Sequence, residues 1–347
     1  MNKKRGQIIG WGKYVPTKVL TNDDLAKMVD TNDEWITTRT GIKERHIRGE
    51  NDTTTSMSAA AARDAIRVAG LNPTDIDLII VGNSSPDYLL PAPANFLQHE
   101  LGVRCAAFTL LAGCSGWVYS LVTAHQFIET GAYKNILVVG VDLISYALDY
   151  TDRSTCILFG DAAAAVVIQA TDEDAGVLAF ELGSDGGLAK HLWVPGGGTV
   201  NPVSQSVVDN REHYIQMNGT EVFKFAVRQL TSCLNNITQQ AGIPLAELDL
   251  IIPHQANLRI IETAAKMLNT PLDKFFVNLH KYGNTAAASV PLALVEAIEA
   301  GRVKPGATLG MVAFGSGLSW AGAVVRMGVK PLEAVFEQSH IPVLSAE

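Results

Sequence analysis

The chain has 347 residues, 47% of them hydrophobic and 18% charged, with a formal net charge of −8. That is enough apolar material for one large core or two, and it excludes a disordered chain. An acidic protein without a long basic run is a poor match for nucleic acid.

The N-terminus, MNKKRGQIIG, places its basic residues before only two consecutive isoleucines, short of the apolar stretch of a signal peptide. No uncharged apolar segment reaches 18 residues, so no membrane span is expected and a cytoplasmic location is. The elements then alternate. A helix is expected over Ser58–Ala69, a strand over Asp77–Val81 and a helix over Gly116–Thr130, with Trp117, Leu121, Val122 and Phe127 on or near one face. Buried strands follow at Ile136–Gly140 and Ala162–Ile168. This alternation predicts an α/β fold with sheets covered by helices. The glycine-rich loops 183–187 and 196–198 lack the residue order of phosphate loops. The four cysteines form neither a C-x-x-C pair nor a zinc pattern, so no metal is expected. Cys105, Cys156 and Cys233 read as small buried hydrophobes.

The chain also repeats itself. Residues 69–80 (AGLNPTDIDLII) and 241–252 (AGIPLAELDLII) align without a gap, with six identities in twelve positions. The same offset of 172 carries 136–140 onto 308–312, and 116–130 onto 288–302, with Gly131 and Gly301 near the two helix ends. A shared offset in three places predicts two copies of one α/β unit, residues 1–172 and 173–347, stacked in layers.

Cys114 stands in LLAGCSGWVYSL, where an apolar segment gives way to small residues and then to a helix. This strand–turn–helix setting displays a nucleophile, and a helix start is expected to lower the thiol pKa. The backbone N–H of Cys114 can serve an oxyanion hole. Pro253-His254-Gln255-Ala256-Asn257 follows the strand LDLII, at the strand end where α/β sheets place ligands. Gly283-Asn284-Thr285-Ala286-Ala287-Ala288-Ser289 opens another helix. Alone, His254 reads as structural and Asn284 as a helix cap. Subtracting 172 puts Asn284 at position 112 and His254 at Gly82, so the three residues share one edge of a duplicated molecule.

These segments resemble β-ketoacyl-acyl carrier protein synthase III: CSG at a helix start, PHQANLR and GNTAAAS, in that order. Asp33-Glu34-Trp35-Ile36, Thr38-Arg39-Thr40-Gly41-Ile42, Thr151-Asp152-Arg153, Phe159-Gly160-Asp161 and Ala313-Phe314-Gly315-Ser316-Gly317 add to the likeness, which covers about residues 5–327. It implies the thiolase-like duplicated αβαβα architecture of five layers. It also implies a decarboxylating Claisen condensation. An acyl-coenzyme A primer would acylate Cys114, and malonyl-acyl carrier protein would extend it to a 3-ketoacyl-acyl carrier protein.

By the same resemblance His254 and Asn284 would hold the malonyl thioester oxygen, and the backbone N–H groups of Cys114 and Ser316 would form the oxyanion hole. Trp35, Arg39, Arg153, Gly219 and Asn257 would bind coenzyme A. Lys224, Gln255, Ala256, Asn257, Leu258, Arg259 and Lys266 would meet the carrier protein. Phe314, and Leu90 from a partner subunit, would line the acyl pocket of a homodimer. No cofactor would be needed, because the thioester is the electron sink. Thr109, Gly113 and Leu90 replace the Asp, Ala and Phe usual in the family, and GSG stands for GGG. The alternatives are an acyltransferase or condensing enzyme of secondary metabolism with the same Cys-His-Asn site, and a non-catalytic acyl-binding scaffold. A hydroxymethylglutaryl-type condensation needs a carboxylate near Cys114, and none lies between Cys114 and Phe127. The sequence assigns no role to residues 328–347.

Overall fold

The computed structural model describes residues 4–329. Residues 330–347, nearly all of the C-terminal extension, lie outside the described residues. Five strands make the first main sheet: β1 (Arg5–Tyr14), β2 (Leu78–Gly82), β3 (Ala106–Leu110), β4 (Asn135–Leu143) and β5 (Asp161–Thr171), in the order β1-β5-β4-β2-β3. Four make the second: β6 (Gly176–Ser184), β7 (Leu250–Pro253), β8 (Thr308–Gly315) and β9 (Ser319–Arg326), in the order β6-β9-β8-β7. Strand β4 is parallel to β2, as β8 is to β7, and the remaining pairs running outward to β1 and β6 are antiparallel. A single bridge from Ile251 to Phe275 takes the place beside β7 that β3 has beside β2.

Six helices position the site: α1 (Asp33–Thr40), α2 (Thr54–Val68), α3 (Gly116–Glu129), α4 (Gly219–Ala241), α5 (Leu258–Met267) and α6 (Ser289–Glu299). Leu78 and Ile80 of β2 face one core with Trp117 and Leu121 of α3, Val290 and Leu294 of α6, and Leu250 and Ile252 of β7. Helices α3 and α6 therefore form a layer between the sheets. The alternate residues Ile79 and Val81 face Met57, Ala61 and Ala65 of α2. On the second sheet Ile251 faces Leu230 and Leu234 of α4 and Ile261 of α5. The architecture is the five-layered αβαβα thiolase fold. Both faces of each sheet are covered, which is why strands such as LIIVG read as unbroken apolar runs.

Strand β1 is absent from the sequence reading, because Gly6, Gly10 and Gly12 look like breaks. A Cβ on Gly10 would lie 2.1 Å from the Ala65 carbonyl oxygen, so glycine there lets α2 lie directly on the strand.

Strand register corrects the repeat. Leu78 pairs with Ile136, and Leu250 with Leu309. The offset is thus 172 from β2 to β7 but 173 from β4 to β8. The turns before α3 and α6 follow the longer offset: Gly113 has φ +55° and Ala286 φ +47°. Asn284 therefore corresponds to Leu111 rather than to position 112, and Cys114 to Ala287.

Candidate active site

Cys114 lies in a single 3-10 turn, Gly113–Ser115, that leads into α3. The turn meets the β8–β9 turn at van der Waals distance. A Cβ on Gly315 would lie 2.6 Å from the Cys114 nitrogen, and one on Gly113 2.8 Å from the Ser316 carbonyl oxygen. Two buried hydroxyls tie the turns together. Ser115 Oγ donates to the Ala112 carbonyl at 2.7 Å and lies 2.8 Å from Ser319 Oγ, which is 2.9 Å from the Ser316 carbonyl. The backbone N–H groups of Cys114 and Ser316 both act on the sulfur.

Burial pushes the Cys114 thiol up to about 12, and the buried Asp142 carboxylate adds to the rise, against the pull of those two N–H groups. The expected lowering at a helix start is not found. Desolvation of the thiolate outweighs the dipole, and the resting residue is a thiol.

His254 follows β7, and its backbone N–H donates to Val312 at 2.8 Å. Its ring packs edge-on to Phe314, with centroids 5.1 Å apart, and Nδ1 lies 2.8 Å from Ser289 Oγ. Burial lowers its pKa to about 3, so the imidazole is neutral at ordinary pH. Asn284 is held by its own backbone: its N–H donates to Leu158 at 2.8 Å and its carbonyl accepts from Gly160 at 3.0 Å. Its Oδ1 accepts from the Ala286 N–H at 2.9 Å. Among the described residues neither Asn284 Nδ2 nor His254 Nε2 has a hydrogen-bond partner, so each keeps a nitrogen for a ligand.

Two cavities meet at Cys114. One of about 140 Å³ holds His254, Asn284, Gly219, Asn257 and Phe314. The other, of about 120 Å³, is lined by Ile144, Tyr146, Ala147, Phe159, Ile215 and Ala286. Phe314, expected in the acyl pocket, lines the first cavity, with its ring edge-on to His254. Leu90 lines neither cavity of its own chain and is 86% exposed.

Two guanidiniums lie over the ring of Trp35 on α1. Arg39 is 4.4 Å and Arg153 4.9 Å from the ring centroid. Asn257 joins this group to the first cavity, donating from Nδ2 to the Arg39 carbonyl at 3.1 Å while lining the tunnel to Cys114. Lys224, Arg259 and Lys266 are exposed on α4 and α5, with Lys224 paired to Glu221 at 2.8 Å. Leu258 is half-buried against Gly41, and Ala256 lines the first cavity. Gln255 cannot meet a carrier protein. It is buried, with Nε2 donating to Pro253 and Phe276 and Oε1 accepting from Asn278.

Other site residues escaped the sequence reading. Asp142, at the end of β4, brings a carboxylate to the Cys114 region from outside the 114–127 window. Its oxygens accept from Ser84, Ser85, Asn83 and the Ala287 N–H, and it lines neither cavity. A carboxylate so occupied holds the Ala286 turn and is a poor base. Burial raises its pKa to about 6. Ser289 lies inside the GNTAAAS motif, where nothing in the sequence marks it apart from its neighbours. Arg228, exposed one turn beyond Lys224, had no local signal.

The pKa values fix an acid dependence. Below the ordinary 6.5 the unfolded chain protonates His254, whereas the folded chain does so only near about 3. Stability therefore falls as pH drops through that window. Asp142 acts in the opposite sense between about 6 and its ordinary 3.8, where the folded state binds more protons. His254→Asn is expected to flatten the acid-side fall in unfolding free energy, measured by denaturant titration across pH 3.5–6.5. An unchanged slope would remove His254 as its source.

Among the described residues no cluster of His, Cys, Asp or Glu could hold a metal ion, and no helix is long and apolar enough to cross a membrane. Residues 108–186 match the family profile 3-oxoacyl-[acyl-carrier-protein] synthase III, and residues 238–327 match its C-terminal counterpart. A β-ketoacyl-[acyl-carrier-protein] synthase III of Caldanaerobacter subterraneus subsp. tengcongensis is 47% identical over 320 residues, 92% of this chain and 97% of the relative. One from Roseiflexus castenholzii is 48% identical with the same coverage. The crystal structure of 3-oxoacyl-[acyl-carrier-protein] synthase III from Aquifex aeolicus superposes with a TM-score of 0.86 at 45% identity, covering 92% of this chain and 99% of that one. The priming β-ketosynthase of the R1128 polyketide pathway gives a TM-score of 0.87 at 31% identity, covering 94% and 98%.

Proposed function

The chain belongs to the 3-oxoacyl-[acyl-carrier-protein] synthase III family, and on that premise we propose how its residues divide the reaction. It is an acyltransferase that condenses an acyl-coenzyme A primer with malonyl-acyl carrier protein, giving a 3-ketoacyl-acyl carrier protein and starting fatty acid synthesis. One observation carries the division: the sulfur of Cys114 shares a cavity with His254 and Asn284, whose Nε2 and Nδ2 have no hydrogen-bond partner among the described residues.

The Cys114 sulfur attacks the primer thioester. The bond to coenzyme A breaks, and the thiol proton leaves with the coenzyme A thiol. Although the resting thiol is buried, thioester exchange between two thiols is close to balanced, so the acyl-enzyme forms without a large driving force. The acyl chain occupies the cavity lined by Ile144, Ala147 and Ile215. The malonyl group then enters beside His254 and Asn284. As its C–C bond breaks and carbon dioxide leaves, charge collects on the thioester oxygen, where these two donors hold it. The carbanion attacks the acyl carbonyl. The N–H groups of Cys114 and Ser316 receive the tetrahedral oxyanion, and collapse returns Cys114, which takes up a proton.

Trp35, Arg39 and Arg153 hold the adenine and phosphates of coenzyme A, with Gly219 and Asn257 along the pantetheine tunnel. Lys224, Arg228, Arg259 and Lys266 offer positive charge to the acidic carrier protein. No metal or organic cofactor takes part. We place the enzyme in the cytoplasm, with a division into halves near residue 172. A second copy would cover the exposed Tyr88, Leu89, Leu90 and Leu111 and bring its own Leu90 to the acyl cavity.

The test is a panel of straight and branched acyl-coenzyme A primers with malonyl-acyl carrier protein as extender. A ketoacyl product is expected with short primers, since the acyl cavity holds only about 120 Å³. Acylation of Cys114 without ketoacyl product from any primer would replace this reading with an acyltransferase that delivers to another acceptor.

A further inference from the structure

A neutral imidazole carries one N–H, and its position decides whether the ring donates to a ligand or accepts from it. We propose that Ser289 is a positioning residue that fixes His254 with its proton on Nε2, so that the ring faces the Cys114 cavity as a donor. This rests on the reading of His254 as the malonyl oxygen's donor, but the tautomer itself does not depend on it.

Ser289 is the first residue of α6 and is 1% exposed. Its Oγ lies 2.8 Å from the Gln255 backbone nitrogen and 2.8 Å from His254 Nδ1. The Gln255 N–H can only donate, so Oγ accepts there. The hydroxyl has one proton, and Nδ1 is its only other hydrogen-bond partner among the described residues. Donation to Nδ1 requires that nitrogen to be bare, which places the ring proton on Nε2. In the opposite tautomer two donors would converge on Oγ, and a buried hydroxyl proton would have no acceptor.

The surroundings hold this arrangement still. Gln255 is pinned by three hydrogen bonds to backbone groups. Phe314 fixes the ring plane from the side, with an interplanar angle of 77°. Ser289 also opens the helix that corresponds to α3, so a single hydroxyl links the Asn284 turn to His254. With no carboxylate on Nδ1, the ring is oriented without gaining the basicity that such a partner confers. It stays neutral, and Nε2 remains a donor throughout the cycle.

The experiment uses full-length protein labelled with ¹⁵N-histidine and long-range ¹H–¹⁵N spectra. The His254 ring is assigned by the signals lost in His254→Asn. The wild-type spectrum is expected to show a protonated Nε2 and a bare Nδ1. In Ser289→Ala the pattern is expected to move toward a mixture of tautomers. Malonyl decarboxylation should then fall about ten-fold, the scale at which a lost orienting partner acts on a ring, with primer transfer to Cys114 within about two-fold. Ser289→Cys, close to isosteric with a weaker donor, should fall between the two and gives the same readouts if the alanine variant does not fold. A wild-type ring protonated on Nδ1 would overturn the proposal, as would a folded variant with an unchanged spectrum. A shifted tautomer with intact decarboxylation would uphold Ser289 and overturn instead the donor role of His254.

Discussion

Cys114→Ala is expected to remove the acyl-enzyme and with it condensation, by on the order of 10⁴-fold or more, the scale seen when a covalent nucleophile is deleted. No other described cysteine can stand in. Cys156 and Cys233 are buried away from both cavities, and Cys105 lines neither. Intact-protein mass spectrometry with labelled acetyl-coenzyme A should show one acyl group on the wild type and none on the variant. His254 and Asn284 do not depend on the sulfur for their hydrogen bonds, so malonyl decarboxylation should persist in the variant. An adduct that survives in Cys114→Ala would place the nucleophile elsewhere. The raised thiol pKa bears on the assay: the resting site does not hold a stable thiolate, so Cys114 should react more slowly with iodoacetamide than an exposed thiol.

Asn284→Ala is the second large effect, and its value lies in selectivity. The side chain offers Nδ2 to the cavity, while its Oδ1 is spent on Ala286. Loss of one donor to a developing oxyanion costs about 10²–10³-fold, or about 3–4 kcal/mol of barrier. The drop is expected in decarboxylation of malonyl-acyl carrier protein, while the first-step acyl adduct forms at nearly the wild-type rate, because the thioester oxygen of the primer is served by Cys114 and Ser316. Equal loss of both steps would mean that the two donor pairs do not divide the reaction. The Ala286 turn also loses its bond to Oδ1, so a thermal melt should accompany the kinetics.

The parts of this molecule that the sequence discloses are those where one physical demand dominates. Strands β2 and β4 are buried on both faces and read as apolar runs. Helix α3 ends at Glu129, and the glycine that marks its stop in the sequence, Gly131, follows just beyond it with a positive φ. Cys114, His254 and Asn284 are legible because each stands at a junction between elements, and the repeat sets those junctions side by side. Strand β1 escaped because its glycines serve helix contact rather than a break. Ile144, Ala147 and Ile215 gave no signal, since apolar side chains from separate loops become a cavity only in three dimensions. Gln255 misled: the resemblance sets it against the carrier protein, yet its side chain is buried and used up on the backbone. The lowered thiol pKa failed for a related reason, since a sequence shows the helix start but not how much water reaches it.

The junction of two small cavities at one sulfur has a kinetic consequence. On the proposed assignment of the two cavities, the coenzyme that brought the primer must leave the tunnel before the carrier's arm can use the same passage. Productive binding of the two substrates then alternates between different forms of the enzyme, and they never bind together. An excess of the malonyl carrier would occupy the unacylated form unproductively and hold back the first step. Flux into the chain would thus follow the ratio of primer to extender as well as the supply of either.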